Sequence, residues 1–273
     1  MSGQPSANFY EDGDPHVEPH LAVEYLCARR GITRDQLGVR PAVLGTFSPR
    51  LTTFLADRAG AARAEHWLRR EDMPAFHAGD EVTIATLPIG APAAAAQVEE
   101  LIACGMRSLI VTGAAGSLQP HAPIGTVVLP TSAIREEGTS HHYTPSHEPA
   151  LPAPRLVALL EDALKTRGIE YVSGPTWTTD AVYREHRSKI DRYRRAGVVT
   201  VEMELSALLT IAAYRGVECA GLFAVSDELH GDGWELGFGA DTFLASMARA
   251  ATVALEAARR SAATGSPGGG PTS

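Results

Sequence analysis

Ser108-Leu-Ile-Val-Thr-Gly-Ala-Ala-Gly-Ser117 is the stretch that decides how this chain folds. A short apolar run meets two glycines with only alanines between them. A run of this length, stopped at once by glycine, reads as a buried strand and not as a helix. Without a Cβ, glycine lets the backbone turn sharply and lets a ligand approach the main chain. The N–H groups of such a turn can hold an anion or a polar ligand group. A plain strand-to-loop turn packed tightly on its neighbours uses the same residues, and the segment alone does not choose between the two.

Outward from this stretch the pattern repeats. Residues 41–44 (PAVL), 82–87 (VTIATL), 126–129 (TVVL), 198–201 (VVTV) and 220–225 (AGLFAV) are short apolar runs that read as buried strands. Longer amphipathic segments lie between them. Residues 93–104 predict a helix that starts after Pro92 and stops at Gly105, and 154–167, 204–215 and 241–260 predict three more. Alternation of this kind predicts an α/β fold, with a mostly parallel sheet covered by helices on both faces. Ligands of such sheets sit at the carboxyl ends of the strands, so the turns there are where chemistry is expected.

The chain has 273 residues, of which 44% are hydrophobic and only 6% aromatic. It can bury a sizeable core, filled mainly by Ala, Leu, Val and Gly. Residues 1–20 mix Pro, Gly, Asp and Glu without periodicity and predict a flexible or loosely docked arm. Residues 263–273 are a Gly/Pro/Ser tail expected to be disordered. No interior linker or repeat divides what lies between, so 21–262 is read as a single domain. The formal net charge is −8, and no basic run suggests a nucleic-acid partner. No apolar run approaches the ~20 residues that span a bilayer, and the polar, acidic N-terminus lacks the regions of a signal peptide. The expected compartment is the cytoplasm, where Cys27, Cys104 and Cys219 would stay reduced.

Four further segments carry candidate chemistry. In Ile89-Gly-Ala-Pro92 a strand ends in Gly90, and a helix N-terminus then points free N–H groups at the same end of the sheet. In Val201-Glu-Met-Glu204 two carboxylates flank Met203 at a strand–helix junction. A buried carboxylate must be hydrogen-bonded, and it suits a pair of vicinal ribose hydroxyls; favourable electrostatics at a helix start is the competing reading. In Phe223-Ala-Val-Ser-Asp227 a strand delivers Ser226 and Asp227 to its end. Burial that raises a carboxyl pKa would let Asp227 donate a proton to a leaving nitrogen, whereas Ser or Asp before a helix is also an ordinary cap. The polar segment from Arg135 to Tyr143 follows a strand. Its adjacent His141 and His142 lack metal-ligand spacing, so no metal is expected, and contact with a polar substrate or with another subunit is the reading.

In this order, IGAP (89–92), GAAGSL (113–118), IREEGTSHHY (134–143), WTTDAVY (177–183), VEMELSAL (201–208) and AVSDE (224–228) resemble the nucleoside phosphorylase and nucleosidase superfamily. The resemblance spans about residues 41 to 258. It implies a three-layer α/β/α domain with a twisted mixed sheet, and homo-oligomers built from dimers, often hexamers. It also implies roles. Glu204 would bind the ribose hydroxyls, with Met203 on the sugar and Glu202 beside it. Asp227, next to Ser226, would protonate a leaving purine. Gly90 and Gly113 would let main chain approach the ligand. Trp177, Thr178, Val182 and Tyr183 would line the base, and His142 would reach a sugar hydroxyl, in its own subunit or in a neighbouring one.

This chain departs from that family where phosphate binds. An Arg usual two positions before the glycine turn is Val111 here, and the Ser or Thr after the glycine is Ala114. The usual Gly-Asp-Pro-x-Arg loop is echoed, one residue longer, by Gly45-Thr-Phe-Ser-Pro-Arg50, which makes Gly45 and Arg50 the phosphate candidates. The implied reaction is cleavage of a nucleoside's glycosidic bond, with a purine preferred over uridine and no cofactor beyond inorganic phosphate as co-substrate. Attack by water, because phosphate donors are missing, and a non-catalytic nucleoside-binding protein both stay open.

Overall fold

The computed structural model describes residues 9–67 and 72–263. The first eight residues of the expected arm and, from residue 264, the expected tail lie outside the described residues. In chain order the elements are α1 (Pro19–Arg30), β1 (Ala42–Thr46), α2 (Pro49–Ala59), β2 (Ala62–Arg63), β3 (Ala75–Ala78), β4 (Val82–Thr86), α3 (Ala91–Ala103), β5 (Ser108–Ser117) and β6 (Val127–Glu136). There follow α4 (Pro154–Thr166), β7 (Tyr171–Thr179), α5 (Arg187–Arg195), β8 (Thr200–Glu202), α6 (Leu205–Tyr214), β9 (Glu218–Glu228), β10 (Glu235–Leu236) and α7 (Asp241–Ala263).

The strands form one sheet in the order β10-β9-β6-β7-β8-β5-β1-β4-β3-β2, and β9 also pairs with β5. Strands β5, β9, β6, β7 and β8 therefore close into a ring, from which β1, β4, β3 and β2 extend as an open wing. The long ladders, β1–β4, β1–β5, β5–β9 and β6–β7, are parallel. The antiparallel pairings β5–β8 and β6–β9 are only two residues long.

Side chains of successive strand residues face opposite layers. Leu44, Ile84, Ile110 and Leu222 pack with α2, α4 and α7, and Val43, Ala85, Leu109 and Phe223 pack with α3 and α6. This is the three-layer α/β/α arrangement. Few aromatics are needed because α7 presents Ala250, Ala254, Ala257 and Ala258, all fully buried, and so lies close to the sheet. All three cysteines are free thiols, and Cys27 and Cys219 are buried. Among the described residues no helix is long and apolar enough to cross a membrane.

Several elements differ from expectation. The glycine stretch makes no turn: β5 continues straight through Gly113 and Gly116 to Ser117, because β9 pairs along its whole length, with one irregularity at Ala115/Gly116. Likewise β6 and β9 run past their apolar runs into polar residues. Strand β7 goes unrecognised in the sequence because Gly174 and Pro175 interrupt it. Helix α2 is hidden by its polar surface, although Ser48 caps it and Pro49 occupies its first turn. Helix α1 buries only Val23 and Cys27 and shows little periodicity; it begins at Pro19 and so takes in the last two residues of the expected arm.

Candidate active site

The carboxyl ends of β5, β8 and β9 meet at Gly116, which pairs with Val201 on one side and with Asp227 on the other. These pairings bring the end of β8, with its two glutamates, and the end of β9, with Ser226 and Asp227, to the rim of one cleft. The cleft has a volume of about 1110 Å³. A side chain at Gly116 has no room: its Cβ would lie 2.6 Å from Leu229 Cδ1 and 3.0 Å from Asp227 Oδ2. Gly113, also in the lining, faces the Phe47 ring. Glycine here serves close packing of the site's walls, not a change of chain direction.

Glu202 and Glu204 are both buried, but their partners differ. Glu202 is consumed by the protein. One of its oxygens accepts from the Thr178 hydroxyl, and the other from the N–H groups of Glu204 (2.8 Å) and Leu205 (2.6 Å). It thereby satisfies the open N-terminus of α6, where a negative charge is favourable. Glu204 accepts from the Gly90 N–H (2.5 Å) and has a further bond from the Met203 backbone. Burial first, and then the Glu202 charge, raise its pKa above the usual carboxylate range. A carboxylate has about four acceptor positions, so Glu204 keeps capacity for a diol in the cleft. Gly90 adopts φ +98°, a conformation that side chains disfavour, and this aims its N–H at Glu204.

Asp227 is held on both oxygens. The Ser226 hydroxyl donates to Oδ1 (2.6 Å), and the Trp234 indole N–H donates to Oδ2 (2.7 Å). Close by stands Glu185, which lines the same cleft. Burial, and then the Asp227 charge, push its pKa up to about 7. Behind it, Glu136 accepts from Lys189 and from the Tyr193 hydroxyl.

The cleft's cations, among the described residues, are Arg50 and Arg187. The Arg187 guanidinium is spent on the carbonyls of Gly231 and Asp232 and ties two loops together. Arg50 stands in the first turn of α2 with no carboxylate or carbonyl partner among the described residues. Phe47, Leu51, Phe54, Phe238, Phe243, Leu244 and Met247 make the remaining wall apolar.

Of the residues singled out in the sequence, Arg50, Gly113, Ala114, Val182, Tyr183, Glu202, Met203, Glu204, Ser226 and Asp227 line this cleft. Others do not. Trp177 was expected against the base, but it is fully buried in the core, packed on Tyr193 with ring centroids 4.8 Å apart, because β7 lies inside the closed ring. Thr178, from the same strand, acts through Glu202 instead of lining the cleft. Gly45 is no phosphate contact: it sits in the middle of the sheet between the side chains of Leu87 and Val111. His142 lies in a 3-10 turn outside the lining of its own subunit's cleft, its ring 5.1 Å from that of Phe9. The sequence reading missed Glu185 and Trp234. Glu185 sits in a polar, Arg-rich run, and Trp234 in a Gly-rich loop, where nothing periodic marks a site.

Residues 42–263 match the family model described as "Phosphorylase superfamily". Similar curated proteins include a uridine phosphorylase of Haemophilus influenzae, 31% identical over 160 residues, covering 54% of this chain and 63% of that protein. A guanosine phosphorylase of Halorubrum lacusprofundi is 32% identical over 155 residues, covering 57% and 64%. A uridine phosphorylase of Escherichia coli is 30% identical over 160 residues, covering 54% and 63%. The chain thus spans somewhat less than two thirds of the length of these relatives. The family match runs from β1 to the end of α7 and takes in every strand end that builds the cleft: this chain belongs to the phosphorylase superfamily.

Proposed function

We propose that this chain is a nucleoside phosphorylase that cleaves the N-glycosidic bond with inorganic phosphate, releasing a free base and ribose 1-phosphate. The observation that carries the proposal is the convergence of Glu204 and Asp227 on one cleft beside Gly113. Glu204 binds the ribose hydroxyls, and Met203 packs on the sugar. Asp227 faces the departing base. Arg50 supplies the cleft's available positive charge for phosphate. Relatives named uridine phosphorylase and guanosine phosphorylase support phosphorolysis.

We assign the base as a purine. A uracil edge wants a side-chain amide paired with a guanidinium. No Asn or Gln lines the cleft among the described residues, and Arg187 is already spent on main-chain carbonyls. The enzyme is further proposed to be cytoplasmic and to assemble from dimers. Ile89, Tyr183, Phe238 and Leu244, all at the cleft and all at least half exposed, supply apolar surface for a neighbouring copy.

A panel of purine and pyrimidine nucleosides, incubated with and without phosphate, tests the reading. The expected result is purine release that requires phosphate and yields ribose 1-phosphate in equal amount. Hydrolysis is the second reading, favoured by the buried Val111 and by Ala114, which offer phosphate no side-chain donor. Undiminished base release in phosphate-free buffer would establish it.

A further inference from the structure

We infer that Glu185 supplies the proton taken up by the departing base, while Asp227 stays the carboxylate that orients it. The inference rests on the glycosidic-cleavage reading of this cleft and names a residue for its acid step.

The geometry separates two carboxyl groups in one cavity. Asp227 is fixed by a hydroxyl and an indole donor, one on each oxygen. Glu185 lies just before α5 and lines the cleft, and among the described residues no donor hydrogen-bonds its side chain. Two carboxylates that share a site resist double ionisation, and the proton goes to the member with fewer donors. Among the described residues, the charged groups that act most on Glu185 come from three elements. Asp227 on β9 and Glu136 on β6 favour its protonation, and Lys189 on α5 opposes it. The opposition is blunted, because Lys189 is bound to Glu136. Arg187, two residues on, points its charge at the carbonyls of Gly231 and Asp232. The resulting pKa of about 7 lies where a general acid works best at neutral pH.

The step balances. The bond from the anomeric carbon to the base nitrogen breaks, and its electron pair leaves with the base. Glu185 gives its proton to the base and becomes a carboxylate. A phosphate oxygen forms the new bond to the anomeric carbon. The phosphate dianion loses its hydroxyl proton when it becomes an ester, and that proton, through solvent, restores Glu185.

The test compares the intact wild-type enzyme with Glu185→Gln and Glu185→Asp, on whichever nucleoside the wild type cleaves. With wild type, kcat should fall as pH rises through about 7. Glu185→Gln should lower kcat by about 10²–10⁴-fold, the usual span for a lost general acid, leave the nucleoside KM little changed, and lose that pH dependence. Glu185→Asp should keep the falling limb at a displaced pH. A Gln variant that retains both rate and limb overturns the inference. If the Gln variant does not fold, an Asp variant whose limb has not moved overturns it equally. Wild type inert toward every nucleoside would instead defeat the parent reading, so the two failures are distinct.

Discussion

Gly116→Ala is the most informative single change, because its cost can be worked from contacts. The new Cβ would lie 2.6 Å from Leu229 Cδ1, 3.0 Å from Asp227 Oδ2 and 3.2 Å from Val201 Cγ1. In a close-packed interior, Leu229 must retreat by about 0.8 Å and Asp227 by about 0.4 Å to reach ordinary contact. Inserting one carbon into such a site typically costs about 1–3 kcal/mol, which lowers Tm by about 2–12 °C in a protein of this size. Activity should suffer more. The Asp227–Trp234 bond of 2.7 Å is pushed towards its limit, and since a misplacement of ~1 Å can cost about 10²-fold, a shift of about 0.4 Å at Asp227 should lower kcat by about 10-fold. Thermal unfolding and kcat for phosphorolysis are the measurements. Leu229→Ala in the same chain removes the nearest obstacle, so the double variant should recover part of the Tm but less of kcat. A Gly116→Ala enzyme with wild-type Tm and kcat would refute the claim that this glycine exists to bring three strand ends together.

Three other outcomes are expected. Glu204→Gln removes a carboxyl acceptor from two sugar hydroxyls at ~0.5–1.5 kcal/mol each, so kcat/KM should fall by about 5–150-fold; the deficit should shrink with a 2′,3′-dideoxy substrate, and an equal deficit would count against ribose binding. Arg50→Ala should raise the phosphate KM by about 10–150-fold, the worth of one charge-assisted bond, with the nucleoside KM little changed. Stability should depend on Glu185. Its folded pKa of about 7 lies above the ordinary 4.5, so between these values the folded state binds more protons than the unfolded one. That contribution is complete below about 4.5 and is lost as pH rises through about 7. Glu185→Gln should flatten this part of the Tm–pH curve, and an unchanged slope would contradict the assigned burial.

Strands β1, β4 and the first half of β5 were legible because each is a short, mainly apolar run, as buried parallel strands are; β2 and β3, at the edge of the wing, left no such run and were not. The junctions that carry Glu204 and Asp227 were legible for a related reason: each is a polar group at the end of such a run. Ring closure was not. It depends on two-residue pairings, Gly116 with Val201 and Val127 with Ala224, too short to leave a periodic trace. That omission explains the error at Trp177: an aromatic among threonines looks like a binding surface until its strand is known to be enclosed on both sides. Glu185 was invisible for the opposite reason. Its segment is polar throughout, and only the fold turns one of those carboxyl groups towards Asp227.

The register of β5 against β9, which sets Gly116 opposite Asp227, has a consequence for how ligands are met. The Asp227 carboxylate is fastened into the longest ladder among the described residues, so its position is established when the chain folds and costs nothing further to organise on binding. Adaptation is left to the segments around Tyr183 and Trp234, which the Arg187 contacts couple to each other. Amide exchange should therefore be slowest at residues 113–117 and 222–228 and faster in the two coupled loops, with substrate slowing the loops and leaving the ladder as it was.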